Sequence, residues 1–383
     1  MILHPKVDTN GSHAWSSAAM ILAGLLLGSA TIDAADDKPE PSSRYQLFGS
    51  LNLGYGETDG PKYRGVRQDG TADLRNAAIQ LRYSASPSDE LVVQLAHERV
   101  GTSPTNAFRD DIEVDWAFWG HTFDDGTSLR IGRVPLPIGF YNEIKDIGTS
   151  LPFYRASGNF YGEGTWTSDS VDGIVVSREL GDLRGWAVSG DLYAGRWERI
   201  ETDGGTLSFG EADIRDALGF FVWFDAPSGR FRVGVGANRF EAEGGVFLAP
   251  GATDDETTRY LAIEGGGDRW TTRFEISRRE FTGGYWQPFY LETVIRPNDR
   301  WQLAALYDVG HLRFEVPSFA TFDDRIEETF GLAIGYRWTP DLVLKLEHHW
   351  VDSYGQIEDR AINIFFDSPA SLELTIASLA LTF

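Results

Sequence analysis

Cysteine is absent from the 383 residues, and methionine occurs only twice. The chain therefore has no disulfide staples, thiolate zinc sites or thiol chemistry, and it is compatible with passage through an oxidising periplasm. Long apolar runs are also missing. After about residue 30 no stretch reaches the roughly 20 residues that a spanning helix requires, which excludes a helical membrane protein. Basic residues are scarce: 34 Lys and Arg against 57 Asp and Glu give a formal charge of -23, so no nucleic-acid partner is expected. Histidines number seven. His348 and His349 are adjacent, so on a strand they point to opposite faces and cannot share a metal. The P-loop, EF-hand, Gly-x-Ser-x-Gly and His-Glu-x-x-His patterns are all missing. The sequence thus calls for no enzyme, no catalytic residue, no metal and no cofactor.

What the chain does have is glycine (42) and aromatic side chains (24 Phe, 14 Tyr, 12 Trp), spread over a period-two alternation from Tyr45 onward. The first run places Tyr45, Leu47, Leu51, Leu53 and Tyr55 on one face and Gln46, Ser50 and Asn52 on the other. About sixteen such runs follow one another to Phe383, an even number as a closed antiparallel barrel requires. Their connections alternate in length. Tight turns such as Gly181-Asp182, Gly267-Asp268 and Thr339-Pro340-Asp341 are interleaved with long connections near 57–72, 100–110, 134–170, 197–211, 242–256, 310–326 and 354–372. Short turns at one end and long loops at the other are the pattern of an outer-membrane barrel. Tryptophan agrees with it: Trp186, Trp223, Trp270, Trp301 and Trp338 all lie beside tight turns, predicting an aromatic girdle at one rim. The fold class is therefore all-β, a transmembrane antiparallel β-barrel over residues 44–383. Residues 1–35 read as a signal peptide and lead-in, with an apolar core from Ala18 to Gly28 and small-residue cleavage sites at Gly28-Ser-Ala30 and Asp33-Ala-Ala35.

The longest gap between strands, 134–170, organises the rest. Pro135, Pro137 and Pro152 stop it from continuing a sheet, yet Ile138, Phe140, Tyr141, Ile147, Leu151, Phe153 and Tyr154 are too apolar for a loop left in water. The expected solution is an inward-folded third extracellular loop that narrows the bore; the alternative is a loop that covers the outer mouth or packs against a neighbouring subunit, its charges merely facing water. If the apolar faces meet lipid, the opposite parity lines a hydrated lumen, and Arg82, Glu113, Asp115, Arg130, Arg273 and Glu275 fall on it together with Asp191, Glu292, Asp308, Lys345 and Glu347. Arg133, Glu143, Lys145, Asp146 and Arg155 complete the candidate constriction. Arg130, Lys145 and Arg155 are expected to tune anion entry. Glu113 and Asp115, two apart on one face, could serve as paired carboxylates of a hydrolase, but solvated lining charges are the simpler reading. The acidic runs Asp254-Asp255-Glu256 and Asp323-Asp324 are placed in external loops, either merely solvated or bridged by divalent cations to lipopolysaccharide.

The segment Leu129-Arg-Ile-Gly-Arg-Val-Pro-Leu-Pro-Ile-Gly-Phe-Tyr-Asn-Glu143 resembles the Gram-negative porin family that includes the phosphate-selective porins O and P. Gly132, Arg133, Pro137 and Gly139 match that family's outline of a strand leading into the inward third loop. The resemblance implies a sixteen-stranded homotrimeric porin in the outer membrane of a Gram-negative bacterium. Phosphate selectivity is not implied, because the lumen shows alternating signs rather than an arginine ladder. The final strand, with Leu379, Leu381 and terminal Phe383 on one face, also resembles the assembly signal of outer-membrane proteins. The function expected is passive diffusion of ions and small hydrophilic solutes through a pore surrounded by outer-membrane lipid and lipopolysaccharide. The alternatives are a plugged structural or adhesive barrel and an outer-membrane lipid hydrolase.

Overall fold

The computed structural model describes residues 44–108, 112–162, 169–202, 209–245, 248, 251–316, 318–359 and 362–383. The expected signal peptide lies outside them. Sixteen strands form. The first eight are β1 (Tyr45–Thr58), β2 (Thr71–Ser84), β3 (Asp89–Val100), β4 (Glu113–Thr122), β5 (Ser128–Pro135), β6 (Ser170–Leu183), β7 (Trp186–Thr202) and β8 (Phe209–Asp225). The second eight are β9 (Phe231–Gly244), β10 (Thr253–Gly267), β11 (Trp270–Phe281), β12 (Gly284–Ile295), β13 (Trp301–Val316), β14 (Ala320–Thr339), β15 (Leu342–Ser353) and β16 (Ala370–Thr382). One four-residue helix, α1 (Gly158–Tyr161), lies between β5 and β6. Each strand pairs antiparallel with its sequence neighbours, and β16 returns to β1 to close the barrel, with Leu51 opposite Leu381 and Leu53 opposite Leu379. Phe383 and Gly49 exchange two backbone hydrogen bonds at 2.9 and 3.0 Å, so the closure extends to the last residue. Closure leaves no strand edge with unpaired amides, as any sheet immersed in apolar surroundings requires.

The alternation in the sequence becomes two faces with different surroundings. On β15, Leu344, Leu346 and Trp350 are exposed on the outside while Val343, Lys345, Glu347 and Val351 are buried on the inside. The same outward exposure of Leu, Val, Ile and Phe recurs around the barrel, for example at Leu91, Val93, Ile131, Ile174, Leu192, Phe220, Leu303 and Ile334. Trp270, Trp301 and Trp338 are exposed at the short-turn rim, and Tyr336 packs between the last two, 4.7 Å from Trp301 and 6.1 Å from Trp338. Trp186 joins them against Phe231 at 5.9 Å. The fifth expected member does not. Trp223 has the parity of buried Phe221 rather than of exposed Phe220, so it points inward, stacked under the Arg232 guanidinium at 3.9 Å and against Phe140 at 5.1 Å.

Three expected loops are shorter than the sequence suggests. β7, β8, β10, β13 and β14 all run further toward the long-loop end, and Asp254, Asp255 and Glu256 belong to β10 rather than to an external loop. Above the apolar belt both faces of a strand are polar, so the alternation fades while backbone pairing continues. The solvated reading of that acidic run fails for two of its members. Glu256 is buried and bonds Arg279 (2.9 Å) and Arg199 (3.3 Å), and Asp254 accepts from the Thr282 amide at 2.8 Å. Asp323 and Asp324 likewise lie on β14, where Asp323 meets His311 at 2.8 Å.

Candidate functional site: the loop between β5 and β6

The chain leaves the sheet at Pro135 because prolines at 135 and 137 cannot donate to a ladder. Its base is tied locally: the Leu136 amide donates to the Asp169 carbonyl at 3.0 Å, and Asn142 Nδ2 donates to the carbonyls of Leu136 and Asp169 at 2.9 Å each. Gly139 sits at φ +67, a left-handed backbone that glycine tolerates, and a Cβ there would collide with the Tyr161 hydroxyl and a Glu275 oxygen. Ser157 caps α1 by accepting from the Phe160 amide at 3.2 Å.

The apolar side chains of the segment are buried against inward-facing residues of the strands. Leu136, Ile138, Tyr141, Leu151, Phe153 and Phe160 join one cluster with Val92, Val175, Phe221 and Tyr290. Burial of each such side chain contributes about 1.5–3 kcal/mol. Polar groups fix the register of this packing. Glu275 accepts from the Phe140 amide at 3.2 Å and from the hydroxyls of Tyr161 and Tyr290. Tyr141 donates to Glu292 and accepts from Arg273 at 2.6 Å, and Arg273 also holds Glu264 at 2.6 Å. Lys345 donates to the carbonyls of Gly148 (2.6 Å) and Phe153 (2.7 Å). Glu347 accepts from the Tyr154 amide at 3.0 Å, Asn52 donates to the Tyr154 carbonyl at 2.8 Å, and Asp308 accepts from the Asn159 amide at 3.2 Å. The segment is thus bonded to β1, β11, β12, β13 and β15.

The sequence-derived site residues separate into three groups. Asp115, Arg130, Glu143, Lys145, Asp146 and Arg155 come together where the segment faces β2 to β6. Gln94 bridges Asp115 (2.6 Å) and Asp146 (3.4 Å), and Asn76 donates to Asp146 at 2.9 Å. Lys145 pairs with Asp169, Arg155 with Glu98 at 2.9 Å, and Arg130 with Glu143 at 3.4 Å and Asp191 at 4.0 Å. Burial opposes the Lys145 charge, but Asp169 and Asp146 outweigh it and hold the ammonium above its usual range. Burial pushes the Asp146 carboxyl up, against the pull of Lys145. Arg273 and Glu275 form the second group, both bonded to the loop through Tyr141 and Tyr161. Glu275 is 0% exposed, so the expected solvated lining charge is a buried anchor.

Arg82, Glu113 and Arg133 stand apart. Arg82 pairs with Glu90 at 3.3 Å near the short-turn end, and Glu113 is the first residue of β4. Arg133 shares the parity of exposed Ile131 and bonds Asp172 at 2.8 Å on the outer face, so it does not line the lumen. Sequence reasoning misses Asn76, Gln94, Tyr161 and Tyr290. Their only sequence signal is inward parity, which neutral side chains share with ordinary core positions.

Two cavities flank residues 143–146. One, of roughly 460 Å³, lies on the short-turn side and is lined by Glu143, Ile144, Arg130, Asp191, Trp223 and Arg232 among others. The second, of roughly 140 Å³, is walled by Lys145 and Asp146 with Arg155, Glu98, Asp308 and Glu327.

No protein-family model and no curated protein matches the chain. Solved structures do. The outer membrane channel DcaP of Acinetobacter baumannii superposes with a TM-score of 0.58 at 10% identity, covering 88% of this chain and 97% of its own. OmpF of Salmonella typhi in complex with daunomycin gives the same values. The trimer form of OmpT, an outer membrane protein of Vibrio cholerae, gives 0.57 at 12% identity over 88% and 99%. The chain shares with them the closed sixteen-stranded antiparallel barrel. These three structures share the barrel with the chain and do not show the narrower likeness to the phosphate-selective porins.

Proposed function

We propose that the chain is an outer-membrane porin of a Gram-negative bacterium, a passive diffusion channel for ions and small hydrophilic solutes. The observation that carries this reading is the pair of cavities on either side of residues 143–146, inside a closed barrel whose outer face is apolar. In this reading Asp115, Arg130, Glu143, Lys145, Asp146 and Arg155 form the constriction and the cavities are its two vestibules. Solutes move down their own gradients, and charged walls across a narrow passage set ion preference. Residues 1–35 direct export, the barrel 44–383 works as a homotrimer, and its belt contacts lipid and lipopolysaccharide.

The deep burial of Tyr141, Leu151, Phe153 and Phe160 favours one competing reading, a barrel plugged by its own loop. Liposome swelling separates the two. Proteoliposomes of the refolded protein should swell in pentoses and more slowly in disaccharides, whereas a plugged barrel gives no swelling in any sugar.

Membrane seating has its own test. Leu346, 52% exposed on the outer face of β15, should tolerate arginine poorly. Leu346→Arg is expected to destabilise the barrel in bilayers by about 2–4 kcal/mol, as for a cation facing mid-bilayer lipid. A change near zero in reversible unfolding from vesicles would place this face in water.

A further inference from the structure

We infer that the passage prefers small cations, and that the cavity beside Asp146 and Asp308 is where they are held; this rests on the channel reading above. The two cavities differ in charge. The short-turn cavity is balanced, with Arg130, Arg178 and Arg232 against Glu143, Glu179 and Asp191. The other carries five carboxylates and three cations.

Pairing within that second cavity leaves a defined residue of negative charge. Arg64 bonds Glu327 at 2.9 Å, and Arg155 bonds Glu98 at 2.9 Å. Lys145 is engaged by Asp169, and Glu347 shares the inner face of β15 with Lys345 two residues away. Asp146 and Asp308 remain. Among the described residues neither makes an ion pair within 4 Å; Asp146 is held by the neutral amides of Asn76 and Gln94, and Asp308 by the Asn159 backbone.

Unused hydrogen-bonding capacity points into the same space. Asp308 is 2% exposed and its Oδ1 has no hydrogen-bond partner, as is true of Thr329 Oγ1, in a side chain 7% exposed, and of Asn76 Oδ1. All three residues line the cavity. Buried acceptors of this kind need a partner, and a small cation supplies one by coordinating the oxygen directly or through its hydration water. A cavity of roughly 140 Å³ has room for such an ion and several waters. The cations expected from sequence to attract anions, Arg130, Lys145 and Arg155, are each neutralised by a carboxylate, so they do not offset this field.

The experiment is the reversal potential of the refolded full-length barrel in a planar bilayer under a potassium chloride gradient. The wild type should favour potassium over chloride by about threefold or more, and Asp146→Asn and Asp308→Asn should each lower that ratio by about twofold. Asp308→Asn keeps an acceptor for the Asn159 amide, and heat-modifiable gel mobility verifies that both variants fold. An anion-signed wild-type potential, which needs no variant, overturns the inference, as does a cation-signed one that neither substitution moves. A folded barrel that passes no current at all removes the channel reading and this inference with it.

Discussion

Lys345→Met is expected to release the loop between β5 and β6 from the barrel wall, with a loss of about 3–5 kcal/mol in unfolding free energy. Lys345 is 4% exposed, and its ammonium donates to two carbonyls, those of Gly148 and Phe153, which lie five residues apart on the loop. Methionine fills similar space but donates to neither. Each stranded buried carbonyl costs about 1–3 kcal/mol, and Glu347 beside it loses its compensating charge. The loop is also the wall between the two cavities, so its release should appear in function. Open-channel current should become larger and noisier, and the loop should become sensitive to added protease. A variant with wild-type stability and quiet current would mean that the loop's other contacts, apolar and polar, hold it without Lys345.

Gly139→Val should be nearly as damaging, and its effect can be divided by a control. The left-handed φ of +67 at Gly139 costs a branched residue about 1–3 kcal/mol wherever it occurs. A side chain there would also push the Tyr161 hydroxyl off Glu275, breaking the contact that seats α1 against β11. Gly126 has a similar φ of +80 in the turn between β4 and β5, and nothing lies within 4 Å of where a Cβ would sit. Gly126→Val should therefore show only the backbone strain. The difference between the two unfolding midpoints in urea reads the Tyr161–Glu275 seat, and a total loss at position 139 of about 3 kcal/mol or more is expected. Equal losses at both positions would show that the seat contributes nothing.

The barrel is legible because its two faces meet different surroundings along every strand. Leu344, Leu346 and Trp350 against Lys345 and Glu347 carry that contrast in a single run of residues, and the tight turns mark where each run ends. Where the contrast fails, so does the sequence reading. At Arg199, Glu201 and Glu256 both faces are polar, and strand reads as loop, although these three and Arg279 form a buried cluster of two cations and two carboxylates that neutralise one another. Trp223 and Arg133 illustrate the same limit from the other side. A tryptophan beside a tight turn and an arginine beside a loop suggest a girdle and a pore, yet parity alone decides which way each one points, and both have the opposite parity to their expected role. The candidate site is legible as a set of charged residues but not as a set of partners. Nothing in the sequence pairs Arg155 with Glu98 or Lys345 with the carbonyl of Gly148, because those contacts depend on how a loop of more than thirty residues folds back across the barrel. Hence Arg130, Lys145 and Arg155 each lie beside a carboxylate, while Asp146 and Asp308 have no ion pair within 4 Å among the described residues.

An open path through the barrel should be visible in single-channel recordings of the refolded protein in a planar bilayer of symmetrical potassium chloride. Discrete, uniform current steps are expected, grouped in threes when a trimer inserts. A membrane that stays silent while gel mobility shows the barrel folded would contradict it and leave the loop as a plug.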